Sequence, residues 1–241
     1  MEHRDRLWPG GYTFLYDDGL FRPSTDTFLL GSFPRLRRGM AVCELGAGTG
    51  LLSLLLLARE PELTVTGVEL QPQACALFRR TAEENGLQGR MHCLEGDLRD
   101  PGLLPPGRFR LAVSNPPYFP PGAGAVAPDA ARRTARAETD CTLSQLCAAA
   151  ARALTWGGSF CLVHRPDRLA DVLEELRRVR LEPKRLRFVH HTAAAPPSLF
   201  LLEARLGGGV GLTVEPPLLL HGPDGGETED VRRAYFRDKE E

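Results

Sequence analysis

The chain lacks any C-x-x-C pair, and its six histidines are scattered apart from His190-His191, with no spacing that would hold a metal. Six cysteines remain to be explained: Cys43, Cys75, Cys93, Cys141, Cys147 and Cys161. Cys43, Cys93 and Cys161 sit inside apolar strand-like runs, which is the pattern of buried free thiols in a reducing compartment rather than of disulfides or zinc. No apolar run reaches membrane-spanning length, and Met1-Glu2-His3-Arg4-Asp5-Arg6 leads into no signal-peptide core. A cytoplasmic protein with no membrane and no metal partner is expected. Positive charge is not in excess either. Thirty Lys and Arg face 31 Asp and Glu, a formal net charge of −1. Attraction of the whole molecule to nucleic acid is thereby excluded, and any such binding must come from local patches.

What is present is an ordinary globular composition, 42% apolar and 25% charged over 241 residues, enough for one large domain with a modest extension. Residues 12–16 are apolar and partly alternating, and Asp17-Asp18-Gly19 separates them from Leu20-Phe21-Arg22, a hairpin signal. Pro23-Ser24-Thr25-Asp26 supplies caps for a short helix through Phe33. From there strands and helices alternate. Strands are predicted at 40–45, 63–70, 91–95, 109–114 and 159–163. Between them lie a helix made almost wholly of leucine (Leu51 to Leu57), a helix from Pro72 to Asn85-Gly86, and an alanine-rich helix over 143–154. A further helix with an apolar stripe at Leu169, Val172, Leu173 and Leu176 precedes an antiparallel pair at 187–191 and 199–206. A short strand at 218–220 and fraying beyond it complete the reading. Such alternation implies a mostly parallel sheet covered on both faces. Three segments are expected: an N-terminal hairpin and helix extension (1–38), the main domain (39–220) and a polar C-terminal tail (221–241).

Four strand ends carry chemistry. Glu44-Leu45-Gly46-Ala47-Gly48-Thr49-Gly50 joins a strand to a helix. Its glycines permit a sharp turn and close approach to a ligand, while the helix start offers free N–H groups. Glu69 ends the next strand, where a carboxylate can accept both ribose hydroxyls of an adenosine, and Asp97 follows the third. The spacing is G-x-G-x-G without the G-x-x-G ending of the NAD fingerprint. After the fourth strand comes Asn115-Pro116-Pro117-Tyr118. Two prolines fix two φ angles and remove two donors, leaving a rigid array of acceptors beside a flat tyrosine face. That array suits a planar group carrying an NH2.

These residues resemble motif I and motif IV of amino-group methyltransferases that use S-adenosylmethionine, a family acting on adenine N6, cytosine N4 or a glutamine amide. The resemblance runs from Tyr12 to about Leu220 and is closest to bacterial tRNA adenine-N6 methyltransferases that modify the adenine 3′ of the anticodon in a valine tRNA. Ser24-Thr25-Asp26 and Ala135-Arg136-Ala137-Glu138 add to it. It implies a Rossmann-like α/β fold with a seven-stranded sheet and a closing antiparallel strand. It also implies a cofactor site of Thr25, Asp26, Glu44, Leu45, Gly46, Ala47, Gly48, Gly50, Glu69, Leu70, Asp97, Leu98 and Asn115. Catalysis would fall to Asn115, Pro116, Pro117 and Tyr118, with Tyr118, Phe119, Arg132, Arg133 and Arg136 meeting a tRNA substrate. No Pro-Cys dipeptide occurs, so covalent attack on cytosine C5 is not indicated.

Further arginines stand near strand ends: Arg22, Arg35, Arg37 and Arg38, then Arg165, Arg168, Arg185 and Arg187 with Lys184, all read as candidate phosphate contacts. Arg177, Arg178 and Arg180 alternate with Glu174, Glu175 and Glu182, which reads instead as a solvated helix face. Two alternatives stay open at this point. One is a glutamine methyltransferase acting on a release factor, which shares Asn-Pro-Pro-Tyr but carries a helical domain in front; only about 40 residues precede the first core strand here. The other is a cofactor-binding assembly protein without catalysis.

Overall fold

The computed structural model describes residues 1–20, 22–116 and 141–239. Its centre is a sheet of nine strands among the described residues. Strands β3 (Ala41–Leu45), β4 (Thr64–Glu69), β5 (Met91–Glu95), β6 (Phe109–Ser114) and β7 (Leu154–His164) run parallel in the order β5-β4-β3-β6-β7. Strand β9 (Pro197–Leu206) inserts antiparallel between β7 and β8 (Leu181–His190). Two-residue strands β10 (Thr213–Val214) and β11 (Leu218–Leu219) pair with the outer edge of β8.

The apolar side chains of the parallel strands divide between two cores. Val42 and Val65 face a cluster with helices α1 (Thr25–Ser32), α2 (Leu51–Arg59) and α3 (Pro72–Glu84). Cys43, Leu45 and Val68 face α4 (Leu143–Ala153) and α5 (Leu169–Arg178) on the other side. A sheet covered on both faces needs apolar residues at consecutive positions, which explains the continuous runs in the sequence. Helix α2 is buried from Leu51 to Ala58 because the sheet lies below it and α1 packs above it. Truncating one of these leucines to alanine would cost about 2–5 kcal/mol.

Three expectations are corrected. The N-terminal hairpin does not pair residues 12–16 with 20–22. Strand β2 (Thr13–Asp17) pairs instead with β1 (Glu2–Arg6), Glu2 opposite Asp17 and Arg6 opposite Thr13. Asp17-Asp18-Gly19 does turn, with Leu20 N–H donating to the Asp17 carbonyl at 3.0 Å, but the turn leads out of the hairpin. The reason is that β1 has no apolar pattern at all. Its charged side chains grip α3 from outside: Arg80 meets Glu2 at 2.7 Å and Arg4 meets Glu84 at 2.9 Å. The Asn85 side chain adds a two-way bond to the Thr13 backbone, at 2.8 and 2.6 Å.

The chain also does not fray after Leu220. Residues 229–234 form helix α6 (Glu229–Ala234), and Val231, Ala234 and Phe236 are buried in the same core as Phe28 and Phe14. The Tyr235 ring stacks on Phe28 at 4.3 Å and 8°, while Phe236 meets Trp8 at 5.0 Å. The two ends of the chain thus close over α1.

Arg185 and Arg187 are not surface phosphate contacts. Arg185, only 13% exposed, donates to Glu203 at 2.6 Å and Glu215 at 2.7 Å, with its guanidinium over the Phe33 ring. Arg187 holds Asp230 at 2.6 Å and the Pro216 carbonyl at 3.0 Å. Both lock the β8 edge to the C-terminal segment. All six cysteines are free, four of them buried.

Candidate active site

Strand connections run outward from the middle of the sheet: β3 leads to β4 and β5 on one side, β6 leads to β7 on the other. The crevice between the carboxyl ends of β3 and β6 is therefore the topological switch point, where open α/β sheets bind their ligands. Among the described residues, those singled out at the ends of β3, β4, β5 and β6 lie along this carboxyl edge of the parallel strands.

The β3 end is shaped by its glycines. Gly46 has φ +73° and open space where a side chain would begin, so a ligand can approach its backbone closely. Gly50 has φ +87°, and a Cβ there would stand 2.5 Å from the Phe78 ring. Behind the turn, Glu44 is buried and accepts from the backbone N–H and hydroxyl of Ser53, tying β3 to the first turn of α2. Burial raises its carboxyl to about 8, against the lowering effect of Ser53. In this structure Glu44 braces the turn from behind. Leu45 contributes its carbonyl, which accepts the Ser114 hydroxyl at 2.7 Å and joins the glycine turn to the end of β6.

Glu69 ends β4 and is held by two backbone donors, Gly48 N–H at 2.8 Å and Gln71 N–H at 2.9 Å. A carboxylate has about four acceptor directions, so two such bonds fix the group and leave capacity for diol hydroxyls. Leu70 beside it is 46% exposed, an apolar surface at the rim. Past β5, Asp97 accepts from the Arg99 side chain and backbone, at 2.5–2.9 Å, and these bonds hold its carboxyl below the usual range. The Leu98 carbonyl accepts from the Arg152 guanidinium at 2.9 Å. An adenosine approaching Asp97 would therefore meet a carboxylate already engaged by Arg99.

Asn115 stands at the β6 end, with its Nδ2 donating to the Thr27 hydroxyl at 2.9 Å. Thr27 lies in the first turn of α1, after Thr25 and Asp26. Thr25 accepts from the Tyr235 hydroxyl at 3.0 Å. Next to this group, at the end of β7, His164 is buried, and burial lowers it to about 4. Its Nδ1 accepts from Arg165 N–H at 2.8 Å, so the ring is neutral near pH 7. Asn115 and Pro116 are the described part of the Asn-Pro-Pro-Tyr stretch; Pro117, Tyr118, Phe119, Arg132, Arg133 and Arg136 lie outside the described residues. Thr27, which sequence reasoning passed over, is joined to Asn115 only by the fold. Its one sequence signal was its place in the same capped turn as Thr25 and Asp26.

The methyltransferase small domain family matches residues 24–180, from α1 through α5. The chain belongs to that family. It is 31% identical over 182 residues to a tRNA1(Val) (adenine(37)-N6)-methyltransferase of Yersinia enterocolitica, an alignment covering 73% of this chain and 71% of that one. A protein of the same name from Yersinia pestis is 32% identical over 160 residues, covering 64% of each. Among solved structures, a predicted O-methyltransferase from Agrobacterium tumefaciens superposes with a TM-score of 0.71 at 21% identity, covering 87% of this chain and 96% of that one. That likeness speaks to the fold. The chain is thus an S-adenosylmethionine-dependent methyltransferase of the Rossmann-like class. The residues present fit the cofactor: a glycine turn open at Gly46 and a backbone-anchored carboxylate at Glu69 face one crevice.

Proposed function

We propose that this methyltransferase acts on the exocyclic N6 of adenine in a tRNA, with the anticodon-loop adenine as its target. The observation that carries the reading is Asn115 at the switch point, its amide anchored beside the glycine turn. The names and identities of the two Yersinia relatives support adenine in tRNA as the acceptor. Bound S-adenosylmethionine would supply a methyl group on a sulfonium, open to in-line displacement by a nitrogen lone pair. The chain's task is then position and polarity. Glu69 takes the ribose hydroxyls, and the turn at Gly46 and Gly48 lies along the cofactor's methionine end. Asn115 Oδ1 and the Pro116 carbonyl accept the two N–H bonds of the target amine. Positive charge growing on that nitrogen is thereby met by fixed dipoles. Tyr118 stacks on the base, a contact of about 1–3 kcal/mol, and offsets part of the few kcal/mol needed to unstack it. Holding amine and methyl in line can lower the barrier by about 7–11 kcal/mol.

In this reading residues 39–220 carry catalysis, and the extension 1–38, which contains α1, is steadied by the segment 221–241. Arg132, Arg133 and Arg136 meet tRNA phosphates, in the cytoplasm where tRNA is modified. Charge reversal at these three arginines is expected to weaken tRNA binding and flatten its salt dependence while cofactor affinity is unchanged. The direct test offers labelled S-adenosylmethionine with total tRNA, and separately with a glutamine-bearing release-factor peptide, followed by nucleoside and peptide analysis. N6-methyladenosine in the tRNA is expected. Label on the peptide glutamine with none in tRNA would replace this reading with the protein-acceptor one.

A further inference from the structure

We infer that the amino-terminal edge of the parallel strands is a second RNA surface, which holds the body of the tRNA while its methylated loop lies at the carboxyl edge. The inference rests on the reading of a tRNA as the substrate. At its centre is Trp156, 62% exposed, a residue that folds on average bury. The backbone holds it outward. Leu154 pairs with Phe109 and Ser159 with Leu111, so residues 155–158 of β7 stand opposite Arg110 alone. A bulge of this kind re-aims a side chain out of the ladder. The Trp156 ring lies against Gly207, where a Cβ would collide with it. Arg180, between α5 and β8, has φ +64°, a conformation usually left to glycine at a helix end. Its guanidinium stands over the Trp156 ring, 4.8 Å from the centroid.

The charge around this ring is one-sided. Arg177 pairs with Glu182 at 3.2 Å and Arg178 with Glu174 at 2.6 Å, so these cations and acids neutralise one another as the sequence pattern implies. Arg180 takes no part in that exchange. It is exposed, as are Arg108 and Arg110 at the start of β6 and Arg205 near the end of β9, and none of the four pairs with a carboxylate among the described residues. Arg205 lies across the ladder from Ser159, at the foot of the bulge. Cations without counter-charges fit a polyanion, and a displayed tryptophan fits one with rings to stack, which together is the chemistry of RNA. Strand β6 leads from this edge to the acceptor site. From Arg110 to Asn115 is five residue steps (115 − 110), roughly 17 Å at 3.3 Å per residue. About five stacked base pairs cover that distance, so one RNA stem can touch both edges.

The test measures the Kd for unmodified tRNA by fluorescence anisotropy over a salt series, the Kd for S-adenosylmethionine by calorimetry, and N6-methyladenosine in the tRNA after turnover. Trp156→Ala is expected to weaken tRNA binding about 5- to 100-fold, the loss of one stacked base, and Trp156→Phe to recover most of it. The double variant Arg110→Ala/Arg205→Ala should weaken binding too and lower the salt slope by about 2, one for each phosphate contact. Cofactor Kd should stay within about twofold of wild type in every variant. If Trp156→Ala melts early, the arginine pair decides alone. Wild-type affinity for tRNA in Trp156→Ala or in the arginine pair would overturn the surface and leave the acceptor reading standing. A wild-type dimer in sedimentation that Trp156→Ala dissociates, with the tRNA Kd unchanged, would overturn it in favour of a second copy of the chain. If tRNA binds through Trp156 yet never carries N6-methyladenosine, the surface stands and the acceptor reading falls.

Discussion

The two sides of the switch point are built in different ways. On the cofactor side, the parts that hold Glu69 come from nearby in sequence: Gly48 in the preceding turn and Gln71 two residues on. On the acceptor side, Asn115 leans on Thr27, and the helix carrying Thr27 is steadied by Tyr235 through Thr25 and Phe28. One side is a local device; the other is assembled from three distant stretches of chain. The difference teaches that cofactor binding should survive damage that acceptor chemistry does not, because the bonds that hold Glu69 do not draw on the chain ends.

The largest effect on the cofactor side is expected from Glu69→Ala. Hydrogen bonds to a charged group are worth about 1.5–3 kcal/mol each, so cofactor affinity should fall by roughly 10- to 100-fold or more. Calorimetry on the folded variant reads it, and an unchanged Kd would take Glu69 out of the site. Next comes the brace on α1. Tyr235→Ala should lose the ring pair with Phe28 and the bond to Thr25, lowering stability by about 1–3 kcal/mol and kcat with it, with a smaller change in cofactor Kd. Tyr235→Phe keeps the stack and should cost about 1 kcal/mol or less in a denaturant titration. A Tyr235→Ala protein whose cofactor binding collapses while transfer persists would reverse the comparison.

The smallest effect is a pH slope. Glu44 has a folded pKa of about 8, above its ordinary value of 4.5, so between the two the folded state holds a proton the unfolded state has lost. Its contribution therefore makes stability fall as pH rises through that window. Glu44→Gln should remove this part of the slope, read as the difference between wild-type and variant melting curves from pH 5 to 8. Parallel curves would mean that Glu44 titrates normally.

What the sequence made legible follows the same division. The parallel strands, and the places of the glycine turn, Glu69, Asp97 and Asn115 at their ends, could be read because each is a short pattern whose meaning is local. Strand β1 could not, because its residues are charged and its place is set by ion pairs to α3 from Arg4 and Glu2. Helix α6 is six residues in a polar stretch, and its burial depends on Phe28 and Trp8, which are some two hundred positions away. Arg185 reads as a surface cation until Glu203 and Glu215 are brought around it. Thr27 gains its meaning only when α1 is laid over the end of β6.

The most direct test of the account is to measure cofactor affinity and methyl transfer to tRNA on one preparation of Asn115→Ala. Cofactor Kd should stay within about twofold of wild type, while single-turnover transfer falls by roughly 100- to 1,000-fold, the loss expected when one preorganised polar partner of the transition state is removed. Transfer at the wild-type rate, or loss of cofactor binding equal to the loss of transfer, would contradict it.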